Sequence, residues 1–146
     1  MKLRAAIIGC GKRAGKFTEA CLDEDGVEMV GFADPVDGAA AKLADEFGGK
    51  AFTDTASMLA ETKPEFVCLV TRPNVRIEPI RLCAEAGVRG MLSEKPMCTS
   101  WREAKAIHQA AAGNGMQLSF CHQRRCLAHF IEAKRLITSG AIGEVK

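Results

Sequence analysis

Apolar residues come in two rhythms along the chain, and they alternate. Short apolar runs at Ala5–Ile8, Val27–Ala33, Ala51–Phe52, Phe66–Val70, Val88–Leu92 and Gln117–Phe120 have the length and composition of β-strands. Between them, apolar positions recur at helical spacing. Ala39, Ala40, Leu43, Ala44 and Phe47 predict a helix over Gly38–Phe47, and Ile80, Leu82, Cys83 and Ala86 predict another that stops at Gly87. A first helix is expected from Arg13 to Leu22 and a last from Leu127 to Ile137, ended by Gly140. Thr53-Asp54-Thr55 supplies capping oxygens for a helix through Met58 and Leu59 that Lys63-Pro64 breaks. Ser100 with Glu103 three residues on forms a capping box.

Strand and helix following each other without a linker predict an α/β fold. It is a doubly wound parallel sheet of six strands with helices on both faces, a Rossmann arrangement. Phe66-Val67-Cys68-Leu69-Val70 is apolar throughout, as a central strand covered on both faces must be. In such a sheet a ligand lies across the C-terminal strand ends, at the point where strand order reverses.

The first strand runs into Gly9-Cys10-Gly11-Lys12-Arg13-Ala14. Gly9 and Gly11 permit a tight turn and close approach of a pyrophosphate, and Ala14 is the third small position of a G-x-G-x-x-G/A fingerprint. A bare strand-to-helix turn is the plainer reading. It loses ground because Asp34, ending the second strand about 20 residues past Ala14, stands where an acid bonds the adenosine ribose 2′-OH. An acid there disfavours a 2′-phosphate, so NAD is expected over NADP. No Gly-Lys-Ser/Thr phosphate loop is present, since Arg13 follows Lys12.

At 146 residues the chain is long enough for one well-filled core, with 47% hydrophobic and 26% charged residues. A net charge of +2 is too small to argue for nucleic acid or an anionic membrane as a partner. No apolar run approaches a bilayer span, and the Met1-Lys2-Leu3-Arg4 start flows into a strand rather than a signal peptide, so a cytoplasmic protein is expected. Seven cysteines, with no C-x-x-C, read as buried reduced thiols. Cys121, His122, Cys126 and His129 are set aside as metal ligands because Cys121 and His122 are adjacent at a strand end; no metal is expected.

The remaining strand-end loops are Thr71-Arg72-Pro73-Asn74, Glu94-Lys95-Pro96 and His122-Gln123-Arg124-Arg125. With these, and with the closing Gly140-Ala141-Ile142-Gly143-Glu144-Val145, the whole chain resembles the glucose-fructose oxidoreductase, inositol dehydrogenase and rhizopine-catabolism family of NAD(P)-dependent oxidoreductases. The resemblance implies that Gly9, Gly11, Lys12, Arg13 and Ala14 hold the pyrophosphate and Asp34 the ribose. It implies that Thr71, Arg72, Pro73 and Asn74 line the dinucleotide, and that Glu94 contacts the nicotinamide ribose. Lys95, before Pro96, matches the family's catalytic lysine between nicotinamide and substrate, where burial would lower its pKa and a hydroxyl could be bonded as hydride leaves. An exposed loop lysine is the alternative. Gln123 and one of Arg124 and Arg125 are expected to face the cofactor.

Two departures from the family pattern stand out. Val75-Arg76-Ile77 replaces a histidine often found after the Pro-Asn pair, and Arg72 is an unusual cation ahead of Pro73. Arg72 would suit a carboxylated or phosphorylated substrate, although a surface pairing with Glu78 is the reading preferred. Residues 1–146 are then the dinucleotide-binding domain, with about 141–146 beginning a second, substrate-binding α/β domain that carries the family's catalytic histidine and usual oligomer interface. His108 and His129 match no such base. The function expected is hydride transfer between a sugar or polyol hydroxyl and NAD by an enzyme that is a homo-oligomer at full length, this chain alone being inactive. An NAD-using glycosidase and a non-catalytic dinucleotide sensor are the alternatives.

Overall fold

The computed structural model describes residues 2–145. Six strands, β1 (Leu3–Ile8), β2 (Val27–Ala33), β3 (Lys50–Phe52), β4 (Phe66–Leu69), β5 (Gly90–Ser93) and β6 (Gln117–Phe120), form one sheet in the order β3-β2-β1-β4-β5-β6. Every neighbouring pair is parallel. The helices between and after them are α1 (Ala14–Leu22), α2 (Ala39–Phe47), α3 (Thr55–Thr62), α4 (Ile77–Glu85), α5 (Trp101–Gly113) and α6 (Ala128–Thr138). Strand order reverses between β1 and β4, as the alternation of elements predicts.

Alternate residues of each strand feed two cores. Ala5, Ile7, Phe32 and Cys68 point toward α1 and α2, meeting Ala14, Phe17, Ala40 and Leu43. Ala6, Ile8, Val67, Leu69 and Met91 point the other way, meeting Met58, Leu59, Ile80, Cys83 and Ile107 of α3–α5. Period-two patterning of strands buried on both faces produces this split. Val67, Cys68 and Leu69 are all buried, so β4 is the central strand expected.

Local signals hold the helix starts. The Asp54 carboxylate accepts from Ser57 N at 2.8 Å, and these bonds hold its pKa below the usual carboxylate value. Ser100 and Glu103 form the reciprocal capping box. The last helix forms where expected, but none of the residues of α6 is buried, and Phe130 and Ile131 are exposed on it.

The thiols correct one expectation. All seven cysteines are free, but only Cys68 and Cys83 are buried; Cys126 is exposed and the other four are half-buried. Burial pushes the Cys83 thiol up to about 12, and burial followed by the nearby Asp34 charge does the same for Cys10. Because the thiolate is the reactive form, iodoacetamide at about pH 8 is expected to label Cys126 of the native chain well before Cys10 or Cys83. A peptide map showing Cys83 alkylated as fast as Cys126 would contradict the packing of α4 on the sheet. No cluster of metal-ligating side chains occurs among the described residues.

Candidate functional site

The parallel ladder continues one residue past the strand ends, and this sets the loops side by side. Gly9 N donates to Ala33 O, Val70 N to Ile8 O, Glu94 N to Leu69 O and Cys121 N to Ser93 O, each at 2.8 Å. The glycine turn after β1, the Thr71 loop after β4, the Glu94 loop after β5 and the Cys121 loop after β6 are thereby launched from one edge.

Gly9 has φ +91°, a left-handed conformation, and a Cβ built on it would lie 2.8 Å from Thr71 Cγ2. The close contact at Gly9 is therefore with the chain's own β4 loop. Gly11 is different: a Cβ there would meet nothing within 4 Å, so its missing side chain leaves room at the mouth of the turn. Ala14 is fully buried against the sheet. The α1 N-terminus begins there with no side-chain cap and no acid in its first turn, which leaves its N–H groups and positive dipole end for an anion.

The two ends of the expected binding track are fixed by carboxylates. Asp34 Oδ2 accepts from Cys10 N at 2.7 Å and Oδ1 from Val36 N at 2.8 Å, tying the end of β2 to the glycine turn. Glu94 is only 4% exposed. Its Oε2 accepts from Lys95 N at 2.6 Å, while Oε1 lies 2.6 Å from Arg13 Nε as an ion pair without hydrogen-bond geometry. Oε1 and the buried Thr71 hydroxyl oxygen are left without a hydrogen-bond partner. A hydroxyl both buried and unspent at a cleft wall, beside a carboxylate oxygen held only by an ion pair, suits the hydroxyl-rich surface of a dinucleotide.

A cleft of about 290 Å³ runs between these loops, lined by Gly11, Lys12, Arg13, Thr71, Arg72, Pro73, Glu94 and Lys95 together with Val70 and Arg76. Gln123 and Arg124 line an adjoining cleft of about 610 Å³, which shares Arg13 and Lys95 with the first. Gly9, Ala14, Asp34, Asn74 and Pro96 line neither; Asp34 joins through its bond to Cys10, and Pro96 through a bond to Arg76.

Arg76 is the site residue that sequence reasoning missed. It is 1% exposed, and its guanidinium donates to Thr71 O at 2.6 Å and to the carbonyls of Glu94 and Pro96. One side chain thus clamps the β4 loop to the β5 loop. Burial pulls its pKa below the usual value, against the upward pull of the Glu94 carboxylate. A signal was present: Arg76 is the N-cap of α4, where the helix dipole disfavours a cation, so something else must hold it.

Two further expectations change. Lys95 is exposed at the cleft rim, where a buried position was expected. Glu78 pairs with Arg81 at 2.7 Å on α4, leaving Arg72 without the surface partner expected for it. His108 and His129 are exposed on their helices, away from both clefts.

A model of the oxidoreductase family with an NAD-binding Rossmann fold, the glucose-fructose oxidoreductase, inositol dehydrogenase and MocA group, matches residues 3–122. The chain belongs to this family. Within it, the chain is 29% identical over 146 residues to the scyllo-inositol 2-dehydrogenase (NAD(+)) of Bacillus subtilis, covering 98% of this chain and 42% of that protein. It is 26% identical to the 2,7-anhydro-N-acetylneuraminate hydratase of Mediterraneibacter gnavus, over 96% of this chain and 37% of that protein. Among solved structures, the Bordetella pertussis WlbA dehydrogenase in complex with NADH and UDP-GlcNAcA superposes with a TM-score of 0.90 at 28% identity. That match covers 96% of this chain and 43% of the other. The chain therefore spans less than half the length of these oxidoreductase-family relatives. No helix among the described residues is long and apolar enough to cross a membrane.

Proposed function

We propose that this chain is the NAD-holding part of a dehydrogenase that oxidises a sugar or polyol hydroxyl. The observation that carries the reading is that one cleft is lined both by the glycine turn and by the Glu94-Lys95 loop, more than 80 residues apart in sequence. Gly9, Gly11, Lys12, Arg13 and Ala14 hold the pyrophosphate, where the α1 N–H groups are open to it. Asp34 bonds the adenosine ribose with the lone pairs that Cys10 and Val36 leave unused. Thr71, Arg72, Pro73 and Asn74 line the dinucleotide, Glu94 bonds the nicotinamide ribose, and Gln123 and Arg124 border it beyond Lys95.

NAD, when bound, supplies the hydride acceptor. Lys95 at the rim donates a hydrogen bond to the substrate hydroxyl, favouring the negative charge that develops on oxygen as its carbon loses hydride. The hydroxyl proton passes to solvent at the open rim, since an ammonium that donates to the oxygen has no lone pair to receive it. Further contacts to the substrate and any homo-oligomer interface belong to the longer protein of this type.

Calorimetric titration with NAD and with NADP tests the cofactor assignment. NAD is expected to bind about tenfold or more tightly than NADP, and Asp34→Ala to weaken NAD while narrowing that ratio, because a ribose hydrogen bond is lost and a repulsive charge removed. Unchanged affinities for both cofactors in Asp34→Ala would take Asp34 out of the site. Binding of neither cofactor to the parent chain would sink the reading.

A second reading is favoured by the hydratase among the relatives, since adding water requires no net oxidation. The same site would then serve a transient oxidation, as in an NAD-using glycosidase. Reduced cofactor accumulating in step with product separates a dehydrogenase from that alternative.

A further inference from the structure

We propose that the adjoining cleft beyond Lys95 receives a polyol that carries an anionic group, carboxylate or phosphate. The proposal rests on the NAD-domain reading above and adds to it the charge class of the substrate. This cleft is lined by Arg13, Lys95, His122, Arg124 and Arg125 with no acidic side chain among its walls. Arg13 is already matched by Glu94.

The arginines here differ from most of those elsewhere on the molecule. Arg4, Arg81, Arg89 and Arg135 each pair with a glutamate, and Arg76 is spent on backbone carbonyls. Among the described residues the arginines besides Arg76 that lack an acidic partner are Arg72, Arg102, Arg124 and Arg125, and all but Arg102 lie on loops at the C-terminal edge of the sheet. With a net charge of +2 for the whole chain, this is a local concentration and no reflection of a basic protein. Arg124 and Arg125 are both exposed on the turn after β6, free to turn their planar forks toward a two-oxygen anion.

The phosphates of the cofactor do not account for these charges. Its pyrophosphate lies at the glycine turn, with the α1 N-terminus, Lys12 and Arg13 beside it. A 2′-phosphate would sit beside Asp34 at the end of β2, and β6 lies four strands away in the sheet order, about 19 Å at the usual spacing. Lys95, Arg124 and Arg125 thus remain uncompensated on the side where the substrate hydroxyl must approach.

The test is a titration of the NAD-saturated chain with D-glucuronate, D-glucose 6-phosphate and D-glucose, followed through the amide resonances of residues 121–127. At least one anionic sugar is expected to bind about tenfold more tightly than glucose, the effect weakening with salt. Tighter glucuronate names a carboxylate as the group read, and tighter glucose 6-phosphate names a phosphate. The Arg124→Gln/Arg125→Gln double variant is expected to bring the preference below about threefold, whereas Arg102→Gln on α5 leaves it intact. Equal affinities for all three sugars, or a preference that survives in the double variant, overturns the proposal while NAD binding stands. Failure of the parent chain to bind NAD overturns the reading beneath it as well.

Discussion

Gly9→Val is expected to destabilise the chain by about 3 kcal/mol or more and to abolish NAD binding. Two costs add at this position. A β-branched residue is forced to φ +91°, and its Cβ would lie 2.8 Å from Thr71 Cγ2 and 2.9 Å from both Thr71 N and Val70 C. Side-chain rotation can relieve the first of these contacts, but the other two are with backbone in the rigid exit of β4. Val70 N is itself bonded to Ile8 O, one residue before Gly9, so the two strand ends cannot move apart without breaking the ladder. Gly9→Ala takes the same direction with a smaller effect, whereas Gly11→Ala, facing open space, is expected to keep stability and lose cofactor affinity. Urea unfolding with cofactor titration checks the pair. Equal stability loss at Gly9 and Gly11 would show that the turn is not clamped by the Thr71 loop.

Arg76→Met keeps most of the buried stem volume and removes the guanidinium. It is expected to cost about 3 to 5 kcal/mol, because the carbonyls of Thr71, Glu94 and Pro96 lose their donor inside the protein, at about 1 to 3 kcal/mol for each buried group left unpaired. That is a large part of the 5 to 15 kcal/mol that ordinarily holds a domain together. Arg76→Lys is not expected to rescue, since one ammonium cannot span two loops as a planar fork does. A shift in urea midpoint with little change in slope, together with weakened NAD binding, is the expected result. A change within about 0.5 kcal/mol would mean that the ladder bonds of Val70 and Glu94 hold the loops unaided.

The element boundaries and the glycine turn were legible in the sequence because their signals are local. Period-two and helical spacing, the Asp54 cap and the Ser100–Glu103 box are all set by residues within a few positions of each other, and each recurs in the fold at the expected place. The position of Asp34 directly after β2 was legible too. Membership of the oxidoreductase family rested on several such short motifs in fixed order.

Partnerships across the site were decided only by tertiary structure. Arg76 read as a departure from a motif, yet it clamps two loops because β4 and β5 are neighbours. Arg72 read as a partner of Glu78, but the helix places Arg81 three residues from that glutamate and nearer. Lys95 read as buried and stands exposed, since burial depends on what else reaches the cleft rim. Strand adjacency brings together residues distant in sequence, and no local pattern reports which side chains then compete for the same partner. The sequence by itself determined which residues reach the C-terminal edge of the sheet. Their pairing, burial and remaining charge were settled by the order of the strands.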